Sequence, residues 1–144
     1  MKIRKAIKED LKDVGKLMRQ EFSKYPFNEK DSIKDILESL KFYFKIGNIF
    51  VSVVDEKIIG VVVVKFEQYW EGKVTIIEDL AVDRKFQHKN VGKMLMQFVE
   101  DYSKKKNSKF VLFSTNKKSK AIRFYKKLRY KIDKNRISMR KKLK

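Results

Sequence analysis

The stretch IEDLAVDRKFQHKNVGKMLM, residues 77–96, decides how this chain is read. It opens as an apolar strand ending at Val82 and passes through the polar segment DRKFQHKN. It then starts a helix whose apolar face is Val91, Leu95, Phe98, Val99 and Tyr102. A loop that enters a helix carries backbone N–H groups that no helical carbonyl can satisfy. Together with the helix dipole they form a natural anion site, suited to a pyrophosphate. Gly92 lets backbone approach a ligand closely, and Asn90 is among the few non-glycine residues that tolerate left-handed backbone. Lys89 and Lys93 add positive charge on either side of the turn.

Working outward, the elements alternate. KIRKA is a first strand, and Glu9–Phe22 is a helix with Leu11, Val14, Leu17, Met18 and Phe22 at helical spacing. After a break at Pro26, Asp31–Phe44 is a second helix, closed by Gly47. Three strands follow at Ile49–Val54, Ile58–Gln68 and Val74–Val82. The helix Val91–Tyr102 leads to a buried parallel-type strand at Lys109–Phe113 and a helix from Ser119 to Leu128, capped by Ser119. Two further strands, Tyr130–Asp133 and Ile137–Lys142, finish the pattern. A strand, a 12-residue helix and a strand imply a right-handed crossover between parallel strands.

Composition narrows the chemistry. The 144 residues suit one domain, 1–144, large enough to bury a core. There is no cysteine, so a disulfide framework, a thiolate metal site and a cysteine nucleophile are excluded. A single histidine, His88, excludes histidine-cluster metal sites, and no metal is expected. No apolar run reaches the ~18 residues of a membrane span, and MKIRKAIKEDLKD lacks the apolar core of a signal peptide. The expectation is a soluble, cytoplasmic protein with no membrane role. The net charge of +19 is unevenly spread. Residues 1–103 hold 19 basic and 17 acidic side chains, whereas residues 104–144 hold 18 basic and one acidic, Asp133. Such asymmetry suits an acidic or nucleic-acid partner, or lysines on a solvated face. Core-spaced apolar residues, among them Ile122, Phe124, Leu128, Ile132, Ile137 and Met139, indicate that this basic third is folded.

Four motifs in order carry a family resemblance. Gln87-His88-Lys89-Asn90-Val91-Gly92 resembles the Q/R-x-x-G-x-G/A pyrophosphate loop of the GNAT superfamily of N-acetyltransferases. Glu78-Asp79-Leu80-Ala81-Val82 resembles the end of that family's central strand. Ala121 to Tyr130, AIRFYKKLRY, resembles its A-x-x-F/L-Y-x-x-x-G-F helix and turn. Ile3-Arg4-Lys5-Ala6 with Asp10-Leu11 resembles its opening. The chain departs at Asn90 and Arg129, where the family has glycine, and at Lys118, where it often has asparagine.

The resemblance implies an α/β fold. It would be a single-domain, mixed and mostly antiparallel sheet of six to seven strands, with a splayed parallel central pair and about four helices. It also implies acetyl-CoA as co-substrate, held by Leu80, Ala81 and Val82 on the strand and by Gln87, His88, Lys89, Asn90, Val91, Gly92 and Lys93 at the loop and helix entry. The acceptor would be a primary amine: a small polyamine-like amine, a protein N-terminus or a lysine. Such an amine has a pKa of ~10.4 and must lose a proton before it attacks. Glu78 is the base the resemblance selects, with Asp79 beside it; simple alternation puts Glu78 on the face of Leu80 and Val82, unless a bulge intervenes. A backbone N–H near Leu80 would hold the oxyanion. Tyr125 matches the family's general acid, and its reference pKa of ~10 balances that of an alkyl thiol. Trp70 and Tyr69 would line an acceptor pocket or simply cover a hairpin. The alternative reading is a non-catalytic nucleic-acid- or ribosome-binding module using the basic C-terminal third.

Overall fold

The computed structural model describes all residues, Met1–Lys144. Five strands form one sheet in sequence order: β1 (Lys2–Lys5), β2 (Asn48–Val54), β3 (Lys57–Tyr69), β4 (Gly72–Val82) and β5 (Val111–Leu112). Neighbouring strands are antiparallel except for β4 and β5, which run parallel. Four helices cover the sheet: α1 (Leu11–Phe22), α2 (Ile33–Ile46), α3 (Val91–Lys105) and α4 (Ala121–Lys127).

The run Val61–Val64 explains the layering. All four valines are fully buried, which a strand covered on both faces requires. Val61 and Val63 pack with Val14, Leu17 and Leu40 under α1 and α2. Val62 and Val64 pack with Val91, Leu95 and Val99 under α3. The side chains of β3 alternate between two cores, one on each face.

Local chemistry sets the helix ends. Ser32 Oγ accepts from Asp35 N at 3.1 Å at the start of α2, and Ser119 Oγ accepts from Ala121 N at 3.1 Å where α4 begins. The opening motif proves to be an ion pair. Arg4 donates through two nitrogens to Asp10, at 2.6 and 3.2 Å, and Asp10 also accepts from Ile7 N. This ties β1 to the entry of α1, and the Arg4 guanidinium holds the Asp10 carboxyl below its usual range.

The sheet has five strands, not six or seven. Residues 130–144 form no strand, and Ile132, Ile137, Met139 and Leu143 are exposed rather than in the core. Alternation is a local signal, but a strand needs an edge to pair with. β5 is two residues long and offers no such edge. The parallel pair therefore lies at the edge of the sheet rather than at its centre. The splay itself is present. β4 and β5 pair only through Thr75–Val111 and Ile76–Leu112, so Ile77–Val82 has a strand partner on the β3 side alone. Trp70 is fully exposed at the hairpin tip and is not among the residues lining the cavity between α1 and α2.

Candidate active site

The acid-bearing strand β4 does not follow simple alternation. Val63 of β3 lies opposite Asp79, and Val64 lies opposite Ile77, so Glu78 has no cross-strand partner. Glu78 is the extra residue of a β-bulge, which re-aims side chains locally. Ile77, Leu80 and Val82 pack on the α3 side. Asp79 lines a cavity of about 260 Å³ between α1 and α2. Glu78 turns to that side too, with its carboxylate 2.9 Å from Lys65 Nζ. Its charge acts on the phenol of Tyr43 in α2, which burial and Glu78 push up. The bulge thus replaces the expected separation of Glu78 and Asp79 with a shared face.

The electrostatics of the two acids differ. Burial, the Glu78 charge and the Glu29 charge push the Asp79 carboxyl up to about 7. Glu78 is shared with an ammonium, and Lys65 is held charged by Glu78 and by Glu67 at 3.2 Å. A carboxyl that titrates near neutrality and faces a cavity is suited to proton transfer.

The helix-entry loop is built for exposed amides. Asp83 is buried and accepts from Lys85 N at 2.9 Å, forming a short turn at Arg84–Phe86. His88 and Asn90 take left-handed backbone, with φ of 62° and 66°. The glycine position of the family pattern is thus served by an asparagine in the geometry glycine favours. The amides of His88, Lys89 and Asn90 donate to no backbone carbonyl. Val91, Gly92 and Lys93 begin α3, whose first intrahelical bond runs from Met94 N to Asn90 O. A Cβ on Gly92 would meet the Phe124 ring at 3.4 Å, which seats the start of α3 against α4. Lys89 and Lys93 are exposed, with Lys89 Nζ over the Phe86 ring. This donor set fits a pyrophosphate-bearing cofactor.

One residue of this region escapes the motif reading. Glu21 of α1 is only 8% exposed. It accepts from Gln87 Nε2 at 3.3 Å and Arg84 N at 3.3 Å, and Gln87 Nε2 also donates to Val82 O at 2.9 Å. The loop is therefore strapped from α1. Glu21 continues the apolar face of α1, three residues after Met18 and seven after Val14, and an acid there is the signal that could have revealed it.

On the α3 side, Tyr125 of α4 stacks among aromatics, 4.5 Å from Phe113, 5.2 Å from Phe124 and 6.4 Å from Tyr130. Burial alone pushes its phenol up to about 12, so proton donation to a thiolate is less balanced than the reference value implies. Arg129 takes φ of 71° just past α4, and Tyr130 N donates to Tyr125 O. The family's glycine turn is retained without its glycine. Asn116 Oδ1 accepts from Lys118 N in a turn before α4, which occupies that side chain locally.

A strand that parts from its parallel neighbour beside an amide-lined helix entry defines an acetyltransferase-type fold. The pattern of the acetyltransferase (GNAT) family matches residues 12–130, and the chain belongs to that family, whose members use acetyl-CoA. No match is found among curated proteins. Among solved structures, a possible acetyltransferase from Clostridium difficile 630 is 18% identical, with a TM-score of 0.85 over 99% of this chain and 98% of that one. The aminoglycoside acetyltransferase meta-AAC0020 from an uncultured soil metagenomic sample, in complex with sisomicin, is 22% identical, with a TM-score of 0.78 over 99% and 96%. AAC(6')-Iy in complex with the bisubstrate analog CoA-S-monomethyl-acetylneamine is 17% identical, with a TM-score of 0.80 over 99% and 98%. At these identities the likeness is one of fold. No helix is long and apolar enough to cross a membrane.

Proposed function

We propose that residues 1–144 act as one N-acetyltransferase domain that moves an acetyl group from acetyl-CoA directly to a primary amine. The observation that carries this reading is the bulge at Glu78, which brings two carboxylates to the cavity side of the strand that parts from β5. Asp79 takes the proton from the incoming ammonium, because its carboxyl titrates near 7. Glu78, the residue picked out by the family pattern, keeps that carboxyl poised by repulsion and divides its own charge between Lys65 and the incoming ammonium. Amides from His88 to Lys93 hold the pyrophosphate, with Gln87 anchoring the loop. The open edge around Leu80, Ala81 and Val82 supplies backbone groups to the pantetheine amides and the oxyanion. Tyr125 returns a proton to the leaving sulfur; the burial that raises its phenol to about 12 disfavours a bare thiolate in the same place as well. With no cysteine in the chain, the acetyl group passes without an acyl-cysteine.

The acceptor is a polyamine-like amine, a protein N-terminus or a lysine, and a thiol-release assay across such amines identifies it. Acetyl-CoA at millimolar concentration should raise the melting temperature of the folded protein. Absence of any rise removes the reading. A second role, docking on an acidic or nucleic-acid partner, is supported by the exposed end of the basic third. It requires binding that weakens steeply with salt.

A further inference from the structure

The cavity between α1 and α2 is acidic on a chain that is otherwise strongly basic. Asp79 lines its inner wall, and Glu29, Asp31 and Asp35 line the rim, contributed by the α1–α2 connection and the first turn of α2. Arg19 is the one cation among the lining residues. None of the four carboxylates is in an ion pair, and four acids against one cation here reverse the balance of a chain with 37 lysines and arginines against 18 acids. Burial raises the Glu29 and Asp79 carboxyls; the Asp31 charge adds to the first, and the Glu78 and Glu29 charges add to the second. Gathering like charges around one cavity gives it a negative potential that favours a cation from outside.

The arrangement discriminates among cations. No three of these acids gather as a metal ion requires. They are spread from the inner wall to the rim of a space of about 260 Å³, which suits a slender chain with several separated charges. We propose that the acceptor is a flexible aliphatic polyamine, with its reacting nitrogen at Asp79 and its remaining ammonium groups against Glu29, Asp31 and Asp35. This assignment rests on the acetyltransferase reading and names the substrate class of that site. It separates the polyamine from a protein N-terminus, which brings one charge on a bulky chain.

The test compares the triamine spermidine with n-butylamine and a lysine-containing peptide in a thiol-release assay on the full chain. kcat/KM for spermidine should exceed that for n-butylamine by about a hundredfold at low salt, and the gap should narrow as salt screens the rim. The Asp31→Asn/Asp35→Asn protein should cut that ratio about tenfold, chiefly through KM for spermidine. Equal kcat/KM for the two amines, a preference for the peptide, or an unchanged ratio in the double variant would each overturn the assignment. The ratio is internal to each protein, so a loss of folded material does not mimic the result. A melting-temperature rise with acetyl-CoA, measured alongside, keeps the acetyltransferase reading separately accountable.

Discussion

The two faces of the sheet carry opposite chemistry. Under α1 and α2, carboxylates collect around a cavity: Asp79 inside, Glu29, Asp31 and Asp35 at the rim, and Glu78 at the bulge beside them. On the other face, α3 opens with unpaired amides and exposed lysines, and most of the chain's positive excess follows it in residues 104–144. β4 separates the two, and its bulge and its open edge lie within the same few residues. The contrast teaches that net charge is a poor guide here. A total of +19 conceals a cavity lined by carboxylates on one face and a basic, amide-rich helix entry on the other. On the proposed assignment, charge is partitioned by substrate.

The largest expected effect breaks the acidic side. Asp79→Asn should lower turnover by about 10²–10⁴-fold while acetyl-CoA still raises the melting temperature. In the unchanged protein the rate should climb with pH through about 7, as Asp79 ionises. Glu78→Gln removes a negative neighbour that raises the Asp79 carboxyl, so the acid limb should move to lower pH. A limb that stays put would show that the two acids are not coupled. Stability moves in a defined direction too. The folded state keeps the Asp79 proton between the unfolded value of about 3.9 and about 7, so stability is lost as pH rises through that window. Above pH 7, Asp79→Asn should therefore be more stable than the parent, by no more than about 4 kcal/mol, and at pH 3.5 the gain should vanish.

A smaller effect tests whether the two faces are mechanically joined. Glu21 belongs to α1 on the acidic side, yet it accepts from Gln87 and Arg84 in the loop of the other. Glu21→Ala leaves those donors without their partner, at a cost of about 1–3 kcal/mol. Acetyl-CoA affinity should fall about tenfold, while spermidine binding should change little. Equal loss for both ligands would mean that Glu21 merely holds the fold.

How much of this was legible depends on the range of the signal. The helices and β3 were readable because helical spacing and the Val61–Val64 run are local patterns. The left-handed turn into α3 was readable because Asn90 carries that preference in its own side chain. The bulge was not, since it depends on which β3 residue lies opposite Glu78. Nor was the absence of strands after Tyr130, since Ile132 and Ile137 alternate correctly but have no edge to join. The Arg4–Asp10 pair was visible only as a motif, and its role as a clasp between β1 and α1 needed three dimensions.

The smallest effect concerns the basic side alone. Arg129 holds left-handed backbone in a helix-terminating turn, where Tyr130 N donates to Tyr125 O and Arg129 N donates to Lys126 O. A glycine there avoids the Cβ clash, which costs about 1–2 kcal/mol, and gives back part of this gain through greater freedom in the unfolded chain. Arg129→Gly should therefore raise stability by about 1 kcal/mol, read from denaturant midpoints at constant slope. The same change removes one cation from the α4 side. If acetyl-CoA affinity is unchanged, this arginine belongs to the surplus beyond what the donor uses. If affinity falls and Arg129→Lys restores it, the donor face extends past α4 to the turn itself. Either result fixes where the cationic face of the molecule ends and its solvated excess begins.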